Sequence, residues 1–435
     1  MAVRIRHGPS AAGVTPAGWP FVLCYTGTSE VNAMYRTTFA IVDLSALAHN
    51  IRLLKGRLAP GVRLLVAVKA DAYGHGVRPV VEVLRREGVY QVAVASLEEA
   101  LQIRAFDKEI PILILGALGV DECVVAAEAK LDVLYTDLCP IPDIPRLPRP
   151  LAMHIPIDTG MNRLGFKSIE AALRVIETMA HRADIRFAGV CTHLACADAE
   201  DVSHALGQVE RLLQAVQTLR DKGCAPPLVH AANSAGLLRG EAWQFDMVRV
   251  GIAAYGYSPD PEVLPQPELH PVMHMYTSIT RVADVSPGET IGYGATYTAQ
   301  CPMRVATIAI GYADGFPRIL SNRGMVRVRG RDVPIVGRVC MDQAMVDVSH
   351  VPEAQVGDFV TVFGIDPPSA WSASAWRSVP PEHRANWLQE TFALAANEEG
   401  RNVLSLSTVA PLAETIPYEI LCQINRRVPK LYVEA

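Results

Sequence analysis

The 435-residue sequence contains no apolar run approaching the ~20 residues that a membrane-spanning helix requires, so none is expected. It also lacks blocks of like charge. The 40 Lys and Arg and 45 Asp and Glu are interspersed, with a net charge of −5. That pattern excludes the basic stripe of a nucleic-acid binder and the polybasic patch of a membrane-surface protein. The nine cysteines form no Cys-x-x-Cys pair, and only "CTHLAC" (Cys191, Cys196) brings two close together. Reduced cytoplasmic thiols are expected, without a disulfide framework. No His/Cys/Asp/Glu cluster has zinc-like spacing, so no metal is expected. No Gly-x-Gly-x-x-Gly follows an early strand, which argues against a dinucleotide fold, and no Gly-x-Ser-x-Gly elbow is present.

The beginning of the chain fits poorly with the rest. "RHGPSAAGVTPAGWPFVLCYTGTSEVNA" has no period, many Gly and Pro, and an apolar part too short and Pro-broken for a signal-peptide core. Patterned sequence starts at Met34, a candidate biological start, with "MYRTTFAIVDLSALAHNI". Residues 1–35 are read as a disordered extension.

The rest of the chain is regular. Eight β-branched apolar runs alternate with amphipathic helical stretches: "LLVAVKA" (64–70), "QVAVAS" (91–96), "PILILG" (111–116), "DVLYT" (132–136), "LAMHIPID" (151–158), "FAGVCTHL" (187–194), "LVHAANS" (228–234) and "DMVRVGI" (246–252). Near-continuous apolar strands joined by helical crossovers predict a parallel (β/α)₈ TIM barrel over residues 36–270. Beyond 270, segments such as "MRVATIAIGYADG" and "MVRVRGRDVPIVGRV" alternate apolar and polar residues between turns. Residues 271–435 are therefore expected to form an antiparallel β domain, with which "MYRTTFAIVDL" is a candidate to pair. A loop insertion is expected at about 366–386, with a helix after it.

Barrel chemistry resides at the C-terminal ends of the strands. The first strand ends at Lys69, with Tyr73 in the next turn; the fifth leads to Asp158 and Arg163 in "DTGMNRLG". The sixth ends in His193, the seventh in Asn233 and Ser234, and the eighth carries Arg249 before "VGI". A single lysine or histidine at such a place is most often structural; five polar strand ends converging are harder to dismiss. A desolvated lysine suits imine chemistry, because losing hydration favours the neutral nucleophile. Ser234 and the amides of "VGI" lie where barrels bind phosphate. Together they point to pyridoxal 5'-phosphate.

The motifs "AVKADAYGHG", "DTGMNRLG", "THLA", "HAANSAG", "VRVGIAAYG", "IGYGATYTA", "IGYADG", "VGRVCMDQ" and "YEILCQINRRVPK" stand in an order that resembles the alanine racemase family from about residue 36 to 433. The resemblance implies a cytoplasmic isomerase that makes D-alanine for the cell wall. It implies that Lys69 anchors the cofactor and acts as acid/base on one face. Tyr293 of a partner subunit would act on the other, polarised by His193 with Arg249 behind it. Arg249 would face the pyridine nitrogen; Tyr73, Ser234, Tyr418 and the amides of Gly251 and Ile252 would hold the phosphate. Arg163 would lie near the phenolic oxygen and the substrate carboxylate, with Met341 donating an amide to that carboxylate and Tyr312 and Asp342 lining the entrance. The same resemblance implies a homodimer with shared sites. One departure stands out: many family members carry a lysine where this sequence has Pro156, leaving Arg163 to another support, a chloride or Asn162. A serine or broader-specificity racemase is the alternative, because an apolar pocket rejects one hydroxyl only weakly.

Overall fold

The computed structural model describes residues 33–264, 267–396 and 402–434. Of the predicted 1–35 extension, residues 1–32 lie outside this set. Met34 does not behave as an extension. It is buried against Phe39, Trp376 and their neighbours, and its N–H donates to the Pro381 carbonyl at 2.8 Å.

Strand β1 (Phe39–Asp43) leads into helix Leu44–Lys55, where Asp43 accepts the Ala46 N–H at 2.9 Å as N-cap. Eight parallel strands then close a barrel. They are β2 (Arg63–Ala67), β3 (Gln91–Val94), β4 (Ile112–Ile114), β5 (Asp132–Leu134), β6 (Leu151–Pro156), β7 (Ile185–Cys191), β8 (Val229–His230) and β9 (Met247–Val250). Every predicted barrel strand is present, and β9 closes onto β2 through the Leu65–Arg249 register. Their outer faces are covered by helices with a single apolar stripe. Val77–Arg86, for instance, buries Val77, Val80, Val81 and Leu84, which share one face at helical spacing. Inside, successive even or odd positions point to the axis, so Leu65, Ala93, Leu113 and Met247 pack as a plug.

The antiparallel domain holds β10 (Met273–Val285), β11 (Thr290–Ile291), β12 (Tyr297–Thr298), β13 (Met303–Ile308), β14 (Met325–Val328), β15 (Arg331–Pro334), β16 (Ala344–Asp347), β17 (Phe359–Ile365), β18 (Val403–Leu404) and β19 (Lys430–Val433). Strand β1 belongs here and not in the barrel: it pairs antiparallel with β10 and parallel with β19. The two ends of the described chain therefore meet in one sheet.

The stretch 366–386, expected to be a loop, instead carries helix Ala373–Ser378 and the start of helix Arg384–Ala396. Ser372 caps the first through the Ala375 N–H at 3.2 Å. Trp371 and Trp376 are buried against Phe39, Tyr276 and Phe359, and Trp371 Nε1 donates to Thr391 at 2.7 Å. These tryptophans anchor short helices whose Ser- and Pro-rich sequence has no clear period.

Candidate active site

A cavity of about 750 Å³ opens at the C-terminal ends of the barrel strands. Its wall repeats the period of the strands: Leu65, Ala67 and Lys69 from the first, Cys191 and His193 from the sixth, Arg249 and Gly251 from the eighth. Tyr73, Arg163, Ser234, Ile252 and Tyr418 also line it. Eleven of the strand-end and cofactor residues singled out in the sequence, Asp158 and Asn233 included, thus share one chamber. Tyr418 reaches it from helix Pro417–Gln423, within the region expected to be an antiparallel β domain.

Lys69 departs from expectation in its setting. The strand drawn to residue 70 ends at Ala67, so the lysine stands beyond the buried segment and its side chain is exposed to the cavity. The expected desolvation by the protein is therefore absent in the lone chain. Ala70, Asp71, Ala72 and Tyr73 come next in the left-handed region, at φ 53–55°. Each such residue costs roughly 1–2 kcal/mol, so the turn must be held from outside. Glu99 accepts the Ala70 and Ala95 N–H groups at 2.7 Å each. Asp71 accepts the Val77 N–H at 2.8 Å and pairs with Lys430 of β19 at 3.1 Å. His75 Nδ1 donates to the carbonyls of Ala72 and Tyr73, both at 2.9 Å. The glycines of "AYGHG" let the other domain come close, because a Cβ would lie 2.2 Å from the Leu421 carbonyl at Gly74 and 2.1 Å from Tyr432 Oη at Gly76.

One end of the cavity is lined with hydroxyl and amide groups. Asn233 caps helix Ser234–Arg239, and Ser234 Oγ accepts the Gly251 N–H at 3.0 Å. The Tyr73 ring lies 4.8 Å from Tyr255, whose hydroxyl donates to the Ala67 carbonyl at 2.9 Å. Burial raises the pKa of Tyr73 and Tyr418, so both remain neutral donors.

At the inner wall lies Arg249, 9% exposed. Its Nη1 donates to His230 Nδ1 at 2.8 Å, and its Nη2 to the Thr192 carbonyl at 2.7 Å and to His193 Nδ1 at 3.1 Å. Among the described residues no carboxylate pairs with it. His193 is held neutral: burial first, then Arg249, Arg163 and Lys69, lower its pKa to about 3. Arginine only donates, so His193 Nδ1 is a lone pair and its proton sits on Nε2. His230, which sequence reading missed, is fixed in the same way. Its signal was its inward parity on β8, shared with Leu228 of the barrel plug, next to the strand that carries Arg249.

Arg163 lines the cavity with no ion pair among the described residues. Asn162, a candidate support for it, turns its amide to the Gly160 carbonyl at 3.5 Å instead, and Pro156 offers no side-chain donor.

Tyr293, Tyr312, Met341 and Asp342 lie elsewhere. They stand exposed on the β domain and line no part of this cavity; Tyr293 is 71% exposed. Tyr312 and Met341 belong to two turns that interlock, the Tyr312 N–H donating to the Cys340 carbonyl and the Ala313 N–H to Met341, both at 3.0 Å. Asp342 pairs with Arg427 at 2.8 Å.

Residues 42–259 match the family model "Alanine racemase, N-terminal domain" and residues 272–389 "Alanine racemase, C-terminal domain". The alanine racemase of Halothermothrix orenii is 36% identical over 410 residues, which cover 91% of this chain and 97% of that one. Among solved structures, the alanine racemase of Bacillus anthracis with bound L-Ala-P is 32% identical, with a TM-score of 0.77 over 92% of this chain and 96% of that one. The biosynthetic alanine racemase of Pseudomonas aeruginosa is 33% identical, with a TM-score of 0.76 and coverage of 92% and 99%. With both domain models matched in sequence order and the barrel closed around Lys69 and Arg249, this chain belongs to the alanine racemase family of isomerases.

Proposed function

We propose that this protein interconverts L- and D-alanine with pyridoxal 5'-phosphate, as a cytoplasmic homodimer that supplies D-alanine for the cell wall. Two features of the cavity fit that cofactor. A Cβ on Gly251 would lie 2.7 Å from the Tyr73 hydroxyl, so the missing side chain leaves a cradle for a phosphate among Ser234, Tyr73, Tyr418 and the amides of Gly251 and Ile252. Arg249, a buried cation that can only donate, suits a ring nitrogen left unprotonated. When bound, pyridoxal phosphate withdraws electrons from the substrate α-carbon so that its proton can leave.

The chain's own groups then divide the work. Lys69 Nζ would anchor the cofactor and, once released, hold or deliver a proton on one face. Tyr293 of the partner subunit would do so on the other. A free tyrosine has a pKa of about 10, so this phenol needs support. His193, fixed with its proton on Nε2, can donate to that oxygen and favour its ionised form. Arg163, unpaired in the cavity, would bind the substrate carboxylate, joined by the N–H of Met341 from the partner, while Tyr312 and Asp342 narrow the entrance.

The observation that carries this reading is Arg249, held between two neutral imidazoles with no carboxylate paired to it among the described residues. The test is L-alanine in heavy water with added cofactor: D-alanine should appear with deuterium at the α-carbon. Unexchanged L-alanine after prolonged incubation would rule the proposal out. Rates for both enantiomers of alanine and serine would fix the substrate.

A further inference from the structure

The contacts of Arg249 force the proton positions on a buried line of side chains running down the barrel axis. Arg249 Nη1 donates to His230 Nδ1 at 2.8 Å. That nitrogen therefore carries a lone pair, and neutral His230 has its proton on Nε2. His230 Nε2 lies 3.0 Å from His154 Nδ1, so it donates and His154 accepts. The His154 proton must then sit on Nε2. Among the described residues that buried atom has no hydrogen-bond partner, in a side chain 2% exposed, and Asp132 Oδ2 lies 3.8 Å from it. Asp132 opens β5 at the opposite end of the barrel and accepts a hydrogen bond from Gln91 Nε2 at 2.9 Å.

We infer that Asp132 and His154 are positioning residues for Arg249, acting through His230 from the far end of the barrel. This rests on the proposed function only in taking Arg249 as the group that faces the cofactor ring. A buried guanidinium without a carboxylate is costly unless something offsets its charge. Here the offset comes through two imidazoles, each polarised toward the cation by the carboxylate behind it. Asp132, 3.8 Å from His154 Nε2, favours a proton on that atom and so leaves His154 Nδ1 as the acceptor for His230. Other titratable groups face the line from each side. Arg186 lies 3.8 Å from Asp132, and Arg163 and Cys191 act on Arg249. None of them bonds to either imidazole. The hydrogen-bond order along β6 and β8 thus leaves one proton on each ring, and for His230 burial and Arg249 also push the pKa well down.

Neutron diffraction on the wild-type protein without cofactor tests the proton positions directly. The expected density has deuterium on Nε2 of His154 and His230 and none on Nδ1 of either. Deuterium on His230 Nδ1, or on both nitrogens of either ring near pH 7.5, overturns the inference whatever the protein catalyses. Asp132→Asn then tests the polarisation, since it preserves shape and removes charge. The His230 ¹⁵N resonances should shift in the cofactor-free protein, and in the loaded enzyme kcat should fall about tenfold with KM unchanged, as for other residues that orient a site from behind. Unmoved His230 resonances in that variant would refute the relay. If the proton positions and resonance shift appear but no racemisation is found, the relay stands and the functional proposal fails.

Discussion

The Tyr73 hydroxyl stands so close over Gly251 that a Cβ at residue 251 would lie 2.7 Å from it. The backbone there has φ −115° and ψ −102°. Gly251→Ala should displace the Tyr73 hydroxyl, with far-UV circular dichroism compared with wild type before ligand is added. Its dissociation constant for pyridoxal phosphate should rise tenfold or more, about 1.4 kcal/mol or above. Spectroscopic titration measures it, and unchanged affinity would remove the phosphate assignment from this end of the cavity.

Tyr293 is exposed on the β domain while Lys69 lines the barrel cavity, so on the proposed reading each site needs two chains. Lys69→Ala and Tyr293→Ala homodimers should each be inactive. After subunit exchange, a mixed dimer regains one intact site, and an equal mixture should recover about a quarter of wild-type activity. A mixture as inactive as its parents, with exchange verified by mass, would eliminate the shared site.

Acid should destabilise the protein earlier than its carboxylates alone can explain. His75 and His230 are fully buried. Burial lowers the His75 pKa to about 4 and, with Arg249, holds that of His230 well below the usual value, whereas an unfolded histidine titrates near pH 6.5. As the pH falls below 6.5, the unfolded chain binds protons that the folded chain refuses, and stability drops. At pH 5.5 each fully buried imidazole should cost about 1 kcal/mol. Asp184 and Asp314 have lowered pKa values too, but their loss begins only near the carboxylate range. Denaturant unfolding of the cofactor-free protein from pH 8 to 5 should show the decline, and His75→Asn should flatten it. A stability curve level across that window would contradict the burial argument.

The barrel was legible because parallel strands covered on both sides must be apolar along their whole length, and eight such runs recur at regular spacing. The chamber was legible for the same reason: parity along each strand carries Lys69, His193 and Arg249 to one end. What escaped depended on closure. His154 and His230 read as isolated histidines within apolar runs, and only the barrel brings them to 3.0 Å. The helices around Trp371 and Trp376 escaped because their stability lies in long-range aromatic packing with Phe39 and Phe359, which leaves no local period. The exposure of Lys69 escaped because nothing in "VAVKADAYGHG" announces a left-handed turn over alanine, aspartate and tyrosine. Such a turn is disfavoured locally and exists by outside support.

Glu99 supplies part of that support. Its two oxygens accept two separate N–H groups, those of Ala70 and Ala95, and so tie the end of β2 to the end of β3 next to Lys69. A glutamine would offer one acceptor and turn an N–H₂ toward the second donor. An alanine would leave both donors to water, which reaches them because Ala70 and Ala95 are exposed. Glu99→Gln should consequently destabilise the protein at least as much as Glu99→Ala, by about 1–2 kcal/mol in denaturant unfolding, the reverse of the usual order for a conservative change. Both variants should also slow borohydride trapping of pyridoxal phosphate on Lys69. If glutamine proved harmless in both measurements, the clamp would be decorative and the left-handed turn would owe its stability to Asp71, Lys430 and His75 alone.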